Sequence, residues 1–301
     1  MARGRRRGGW LTTLGTVILV VVLLAVAVGA VVALLRNARP EAPVAERCVA
    51  HLDGTDWSLT PDQAQNAALA AAVATRRGLP ARAVTIGIAT ALQESRLVNI
   101  DYGDRDSVGL YQQRPSQGWG TVDEIMDPVY STNKFFEGLE KVPGYQDMPV
   151  TQAAQAVQRS GFPDAYAQHE VRARAWASAL TGHSPAALRC MLRPVDDAAV
   201  GPDPVLARVV RDLGDVPATV TLADAAAGTP STIDLAATAL PIDDPARAGW
   251  SLAQWAVAVA WELRLEAVTV AGTTWSRAEP TWQPTGAAPL PAGQVRLTLA
   301  G

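Results

Sequence analysis

A run of twenty-five residues without a single charge, Leu11–Leu35, constrains this chain more than any other feature of its sequence. As a helix that rises about 1.5 Å per residue, the run spans roughly 37 Å, which is enough to cross a bilayer core of about 30 Å. A cleaved signal peptide is the alternative, but the hydrophobic region of a signal is only about 7–15 residues long. The run therefore predicts one transmembrane helix over residues 11–35.

Basic residues are dense before this run and sparse after it. Four of the first seven residues are arginines, whereas only Arg36 and Arg39 follow closely. Positive residues favour the cytoplasmic side of a membrane span. Residues 1–10 are therefore expected to form a cytoplasmic tail, and the rest of the chain is expected to lie outside the cytoplasm as a single-pass cell-membrane protein.

The two cysteines, Cys48 and Cys190, agree with export. Disulfides persist in oxidising compartments, and an even number of cysteines is typical of proteins that contain them. The pair brackets the middle of the chain, so we predict a bond that closes this region into one loop. Two unrelated buried thiols are the alternative.

Charge and composition point to few classes of ligand. The net charge of −3 falls mostly on the exported part, and it gives no indication of a nucleic-acid partner. Three histidines without Cys/His spacing give no case for a metal site. No cofactor is expected, and the sequence identifies no protein partner.

Composition divides the exported part into a tether and two domains. Residues 36–46 carry Pro, Ala and charge without periodicity, which is typical of a tether. Residues 47–182 contain repeated helix signals and almost no strand signals. The helix signals include a capping box at residues 60–63, a helix start at Asp127-Pro128 and a helix that Thr151 opens over QAAQAVQRS. Residues 183–199 have the composition of a linker. Residues 200–301 alternate helical and strand patterns, which predicts a small α+β domain of unknown role.

Five of the nine tryptophans lie in the last 52 residues. Wall-binding modules use tryptophan to stack on sugars, so one interpretation of this domain is a binding module. Trp255, however, lies on the apolar face of a predicted helix, which favours a position in the core.

One carboxyl group, Glu94, ends the largely apolar segment AVTIGIATALQES. The negative end of a helix and partial burial both disfavour a carboxylate and raise its pKa, as a general acid requires. Tyr111, Gln112, Gln113 and Trp119 follow, and such side chains suit hydroxyl groups, N-acetyl groups and sugar rings. This pattern predicts a saccharide cleft with a single acid, and a helix-capping glutamate beside a structural loop is the alternative.

A second catalytic carboxylate is not obvious. Glycosidases usually pair their acid with another carboxyl group. The nearby acids Asp101, Asp104 and Asp106 lie in the loop DYGDRD, whose alternation with Gly and Arg is typical of a solvated turn.

The pattern QES…SVGLYQQ resembles the motifs of lysozyme-like lytic transglycosylases, in which a helix-terminal Glu-Ser is followed by Gly-Leu-Met-Gln. The resemblance covers roughly residues 60–180 and rests mainly on residues 93–121, which more closely resemble a set of actinobacterial exported proteins with a lysozyme-like domain. It implies a mainly α, lysozyme-like fold with Glu94 as the catalytic acid/base, followed by Ser95. Tyr111 then stands where the family commonly has Met.

Two further positions follow from the resemblance. Asn133, in DPVYSTNKFFEGLEKV, corresponds to an Asn that packs under the family's site. The segment AAQAVQRSGFPDAY occupies the place of the family's Ala-Tyr-Asn-Ala-Gly motif but does not contain that sequence. Gln158 is therefore expected where the motif has Tyr or Asn, and Tyr166 is expected to substitute from further along the chain. The predicted substrate-binding set is Ser95, Tyr111, Gln112, Gln113, Trp119, Asn133, Gln158 and Tyr166.

The resemblance implies an enzyme that cleaves the β-1,4 bonds of peptidoglycan glycan strands without water. The muramoyl C6 hydroxyl attacks its own anomeric carbon, so no partner acid is needed to activate water, and Glu94 would act alone. Two alternatives remain open. One is a lysozyme-type hydrolase that uses Asp104 or Asp106, and the other is a non-catalytic wall-binding or scaffold protein of a secretion or conjugation apparatus.

Overall fold

The computed structural model of the chain describes residues 8–37, 45–161, 164–195, 201–224 and 226–300. The chain divides into two compact units, Met1–Ala45 and Glu46–Gly301. Most of the predicted cytoplasmic tail and tether lies outside the described residues.

The first unit contains one long helix, α1 (Gly8–Asn37). Its stretch Leu14–Val32 is long and apolar enough to cross a membrane, and none of that stretch is buried against protein. A signal sequence near an N-terminus has the same properties. The predicted apolar helix is therefore confirmed, and its retention and orientation stay predictions.

The second unit combines helices with antiparallel sheets. Its helices are α2 (Pro61–Arg76), α3 (Ala81–Ser95), α4 (Val122–Met126), α5 (Pro128–Glu140), α6 (Val150–Gln158), α7 (Glu170–Leu180), α8 (Pro202–Leu213) and α9 (Pro245–Leu263). Its strands are β1 (Arg47–Leu52), β2 (Thr55–Leu59), β3 (Leu188–Met191), β4 (Ala218–Thr221), β5 (Thr232–Ala236), β6 (Leu265–Val270), β7 (Thr273–Ser276), β8 (Gln283–Pro284) and β9 (Gln294–Leu299). One sheet has the order β2-β1-β3 and the other the order β4-β5-β9-β6-β7-β8.

Several helices begin at the predicted caps. The Thr60 hydroxyl accepts a hydrogen bond from the Gln63 N–H, and the Gln63 side chain accepts one from the Thr60 N–H, which completes the predicted capping box of α2. Asp127 caps α5 through the Val129 N–H, with Pro128 in the first turn. These local signals were sufficient to locate both starts.

The small sheet was not predicted. Its first two strands open the region expected to be helical, and β3 lies inside the segment 183–199 expected to be a linker. Cys48 of β1 faces Cys190 of β3 in the antiparallel register, and the two form a disulfide. The predicted bond is confirmed, and it covalently joins the strands on the two sides of the helical region.

Helix α9 lies at the centre of the second unit. It is buried along nearly its whole length and packs against α2 and α7 and also against β3, β6 and β9. The fully buried Gln254 amide donates to the Ala179 carbonyl at 2.6 Å and accepts from the Leu188 N–H at 2.8 Å. Residues that the sequence assigned to two domains therefore pack together.

Most C-terminal tryptophans belong to this packing. Trp255 and Trp275 are buried, and their ring N–H groups donate to the Asp212 carboxylate and the Cys190 carbonyl. Trp250 and Trp282 are half-buried and meet edge to face at 5.0 Å. Such contacts are those of a core, and they leave no row of exposed rings for sugar stacking among these four residues.

Helix α3 positions the candidate site. It packs against α2, α5, α6 and α7. Gly87 lets α5 approach, since a β-carbon there would lie 3.0 Å from the Phe136 ring. The position of α3, and so of its C-terminal end, is consequently fixed by the helices packed around it.

Candidate active site

Glu94 is the penultimate residue of α3, so its predicted position at the end of a helix is observed. The helix ends because Arg96 and Leu97 adopt left-handed backbone conformations with φ of 57° and 61°. The Leu97 N–H then bonds to the Ala91 carbonyl at 2.8 Å and closes the last turn. Non-glycine residues rarely adopt such conformations, which occur at helix ends and functional sites. This termination fixes where the Glu94 side chain leaves the helix.

The Glu94 carboxyl is half-buried and has a defined partner. The fully buried Tyr166 donates its hydroxyl hydrogen to Oε1 of Glu94 at 2.6 Å. Burial raises the pKa of Glu94 above its ordinary value of 4.5, and hydrogen bonds from Tyr166 and Gln158 partly offset this effect. Burial and the Glu94 charge in turn raise the pKa of Tyr166, which keeps it a donor. A carboxyl group in this setting can hold a proton at a higher pH than a solvated glutamate does.

Ser95 positions the neighbouring motif. Its buried hydroxyl contacts the Leu110 carbonyl at 2.7 Å and the Ala91 carbonyl at 3.1 Å. Val108 and Gln113 exchange backbone hydrogen bonds of 3.0 Å, which closes the segment between them into a tight turn. Ser95 therefore attaches the turn to the end of α3 and does not line the cleft described below.

Two side chains of the turn point into the protein. Tyr111 is buried and stacks on Phe135 with ring centroids 4.5 Å apart. The Tyr111 carbonyl accepts a hydrogen bond from the Gln158 amide at 2.7 Å, which attaches α6 to the turn. The Gln113 amide donates to the Ser131 carbonyl at 3.0 Å, and 1% of Gln113 is exposed. Tyr111 therefore supports the turn from within the protein core and does not line the cleft described below.

A cleft of about 420 Å³ opens at the Glu94 carboxyl, and we call it the Glu94 cleft. The residues that carry the argument are Glu94, Asp104, Gln112, Gln113, Trp119 and Gln158. The structure thus brings together five of the residues predicted from sequence: the acid, three amides and one aromatic ring. Tyr166 joins them through its bond to Glu94.

Gln112 depends on a close approach of the backbone. It has a left-handed φ of 47°, and its amide lies 3.3 Å from the Tyr102 carbonyl and 3.2 Å from the Gly109 carbonyl. A β-carbon at Gly103 would lie 1.9 Å from Oε1 of Gln112. The glycine is therefore what allows this side chain to lie along the wall of the cleft.

The three loop aspartates have different surroundings. Asp106 accepts hydrogen bonds from the Arg114 guanidinium at 2.9 Å and the Ser116 N–H at 2.8 Å, and Ser116 followed by Arg114 holds the pKa of Asp106 well below its usual range. Asp101 is exposed and does not line the Glu94 cleft. Asp104 lines the cleft, and no group within the described residues donates a hydrogen bond to its carboxylate. Of the three loop aspartates, Asp104 is thus the one that lines the Glu94 cleft.

Asn133 lies elsewhere. Its side-chain oxygen accepts a hydrogen bond from the Arg77 guanidinium at 3.2 Å, and its amide donates to the Val129 carbonyl at 2.9 Å. Arg77 directly precedes the turn into α3, and about 20 Å of helix separates the start of α3 from Glu94. The structure does not bring Asn133 to the cleft, since the side chain is used to hold α5 to the end of α2.

Sequence reasoning missed several cleft residues. Arg114, Gln117 and Arg159 also line the cleft. Arg159 ends α6 in a left-handed conformation with φ of 52°. A signal for it was present, since a predicted helix ending near Gln158 makes the next residue its cap. Its proximity to Glu94 depends on packing of distant elements, which no local pattern reports.

No cluster of three or more His, Cys, Asp or Glu side chains that could hold a metal ion occurs in the described part of the chain.

No protein-family model matches the chain, and a search of curated proteins found no match. Functional conclusions therefore rest on the chemistry of the Glu94 cleft.

Proposed function

We propose that the protein is a peptidoglycan-cleaving enzyme of the lytic transglycosylase type, with a lysozyme-like helical region and Glu94 as its only acid/base. The observation that carries the proposal is the half-buried Glu94 carboxyl, whose pKa is raised by burial and whose Oε1 is held by Tyr166 at 2.6 Å, at the edge of an amide-lined cleft. General acid catalysis requires this combination of a retained proton and a fixed orientation.

The chemistry is a balanced transfer within the substrate. Glu94 gives its proton to the glycosidic oxygen as the bond from that oxygen to the anomeric carbon breaks. The C6 hydroxyl of the same sugar then attacks the anomeric carbon and returns its proton to the Glu94 carboxylate. The products are a 1,6-anhydro sugar and a free hydroxyl, and no water is consumed.

The neighbouring side chains have matching roles. Tyr166 binds one carboxyl oxygen of Glu94, which leaves Oε2 to carry the proton. Gln112 offers its side-chain oxygen to sugar hydroxyl and N-acetyl N–H groups, because its own N–H groups bond to the Tyr102 and Gly109 carbonyls, and Trp119 offers a flat apolar face to a ring.

A lysozyme-type hydrolase is the second candidate, and Asp104 favours it. Its carboxylate lines the same cleft as Glu94, and no ion pair within the described residues engages it. A hydrolase uses such a group to activate water or to stabilise the cationic intermediate. Asp106 is less suited, because its carboxylate already accepts hydrogen bonds from Arg114 and Ser116.

Mass spectrometry of the products separates these candidates. Purified sacculi are digested with the full-length protein and with its Asp104→Asn and Asp101→Asn variants, the latter being an exposed control in the same loop. We expect 1,6-anhydro products and small effects of both variants. Reducing-end products, together with a loss of about 100-fold or more in Asp104→Asn alone, would establish the hydrolase. Sugar binding without any product would indicate a non-catalytic wall-binding protein.

We also propose that α1 is a retained anchor with its N-terminus in the cytoplasm and Glu46–Gly301 outside. The stretch Leu14–Val32 and the arginines before it support this orientation. A reporter that works only after export, fused at residue 45, should be active. A soluble mature protein that begins within α1 would contradict retention.

A further inference from the structure

A second cavity of about 610 Å³ adjoins the Glu94 cleft. The two cavities share the lining residues Gln117, Trp119, Gln158 and Arg159, so they adjoin at these side chains, and we call the two together the groove. The second cavity extends along the end of α5 and the side of α6, where Gly138, Lys141, Val142 and Val157 line it. We call this part of the groove the basic chamber.

The two parts of the groove differ in charge. The Glu94 cleft carries the carboxyl groups of Glu94 and Asp104 beside the guanidinium groups of Arg159 and Arg114, and Arg114 is paired with Asp106. The basic chamber is lined by Lys141 and Arg159, and none of the residues that line it is acidic. A ligand group that carries negative charge meets cations without a carboxylate in the lining only in the basic chamber, which favours its binding there.

Arg159 is the better placed of the two cations. Lys141 donates to Glu137 at 2.8 Å, and 71% of its side chain is exposed. Arg159 is also exposed, but its side chain makes no hydrogen bond or ion pair to any part of the chain that the structure describes, and its backbone is fixed by a bond from its N–H to the Gln155 carbonyl at 2.8 Å. A guanidinium with its donors unused, at the junction of the two cavities, is suited to a carboxylate.

The remaining lining limits the size of the ligand group. A β-carbon at Gly138 would lie 3.0 Å from Val157 and 3.7 Å from the Trp119 ring, so only glycine leaves this wall open. The wall beside the cations is formed by Val142, Ala156 and Val157, which are small and apolar. A short substituent with methyl groups and a carboxylate fits this combination of surfaces.

We propose that the basic chamber binds a carboxylate carried by a substituent of the glycan strand, through Arg159, and thereby makes the enzyme selective for carboxylate-bearing strands over uncharged ones. The inference rests on the proposed function, because it assumes that a glycan occupies the Glu94 cleft. In peptidoglycan such a carboxylate belongs either to a lactyl group that carries no peptide or to the peptide attached to the lactyl group.

The test compares three glycans with the full-length protein in detergent. N-Acetylglucosamine oligomers carry no carboxylate, strands stripped of peptide by an amidase carry only the lactyl carboxylate, and untreated strands carry peptide carboxylates. The readout is the ratio of kcat/KM for each carboxylate-bearing strand to kcat/KM for the uncharged oligomer. We expect Arg159→Gln to lower this ratio about tenfold, as loss of a hydrogen bond to a charged group predicts.

Arg105→Gln is the matched control. Arg105 is exposed, has a left-handed φ of 57° like the 52° of Arg159, and does not line either cavity. Its variant should leave the ratio as in wild type. A loss confined to untreated strands identifies the peptide as the source of the carboxylate, a loss confined to stripped strands identifies the lactyl group, and a loss with both shows that the chamber accepts either carboxylate. Equal effects of Arg159→Gln on all three glycans would overturn the proposal.

Binding separates failure of this inference from failure of the proposed function. The same glycans are titrated by calorimetry into Glu94→Gln protein, with and without Arg159→Gln. If wild type cleaves nothing but the preference in binding depends on Arg159, the chamber assignment stands and the catalytic proposal fails. Cleavage with no preference that depends on Arg159 means the reverse.

Discussion

At the scale of single residues, the surroundings of Glu94 determine how firmly its carboxyl group holds a proton. Its carboxyl lies at the negative end of α3, is half-buried, and has Tyr166 as a donor to one oxygen. Burial and the helix end favour the neutral form, whereas the donor favours the charged form. Because burial is the larger effect, the pKa of Glu94 is raised overall.

Tyr166→Phe should change the pH dependence of cleavage. Without the hydroxyl, the charged form of Glu94 loses a hydrogen bond and the pKa of Glu94 rises further. The protonated acid then persists to higher pH, so the basic limb of the kcat/KM profile should move upward by about one pH unit, and kcat/KM should fall about tenfold. Tyr145→Phe, at another buried tyrosine, is the control. A profile whose basic limb does not move would mean that Tyr166 only fills space.

At the scale of elements, the loop between α3 and α4 forms much of one wall of the cleft. Gly103 lies in this loop, and a β-carbon there would meet both the Gln112 amide at 1.9 Å and the Ser107 carbonyl at 2.6 Å. Since one of these atoms belongs to the backbone, the loop itself would have to move.

Gly103→Ala is therefore expected to disturb the cleft. The free energy of unfolding should fall by about 1–3 kcal/mol, the usual cost of overpacking, and kcat/KM should fall several-fold because Gln112 is displaced. Denaturant titration and sacculus turnover measure the two effects. Gly201→Ala is the control, as no atom of the described residues, apart from its chain neighbours, lies within 4 Å of its β-carbon position. Equal losses in both variants would contradict a special role for Gly103.

Local signals predicted the helices well, and long-range pairing was the main omission. The Thr60 cap, the Asp127 cap and the end of α3 are encoded within a few residues, and all were located from sequence. Strand β3, by contrast, exists because it pairs with β1, which precedes it by about 140 residues. No pattern within a window of ordinary length reports such a partner.

The candidate site was predicted in composition and only partly in arrangement. Glu94, Gln112 and Trp119 do line one cleft. Ser95 and Asn133 instead hold backbone and helix ends together, through bonds to the Leu110 carbonyl and the Arg77 guanidinium. Residue type alone does not distinguish a polar side chain that binds a ligand from one that supports the fold.

At the scale of the whole molecule, the second unit is closed by packing and by a covalent bond. Helix α9 contacts both the helices and the sheets, and the Cys48–Cys190 disulfide joins β1 to β3 across a separation of 142 residues. Both cysteines are fully buried. The bond thus restrains the region that contains the Glu94 cleft.

Replacing both cysteines by alanine should destabilise the protein. A loop of this length contributes at most about 5 kcal/mol in the loop-entropy description, so the free energy of unfolding should fall by about 3–5 kcal/mol. Thiol labelling of the unfolded, unreduced wild type should find no free thiol. Labelling of both cysteines, or unchanged stability of the variant, would contradict this role.

If the Glu94 proton drives cleavage of the glycan, Glu94→Gln should abolish cleavage and leave the fold intact. Glutamine keeps the size and shape of the side chain and can still accept the Tyr166 hydrogen bond, but it cannot transfer a proton. Sacculi are incubated with equal amounts of the wild-type and variant full-length proteins, and the released fragments are quantified by mass spectrometry, with circular dichroism to confirm equal folding. We expect the wild type to release 1,6-anhydro-muropeptides and the variant to release them at least about 100-fold more slowly. Release by Glu94→Gln at the wild-type rate, or no release by wild type, would contradict this role of the Glu94 proton.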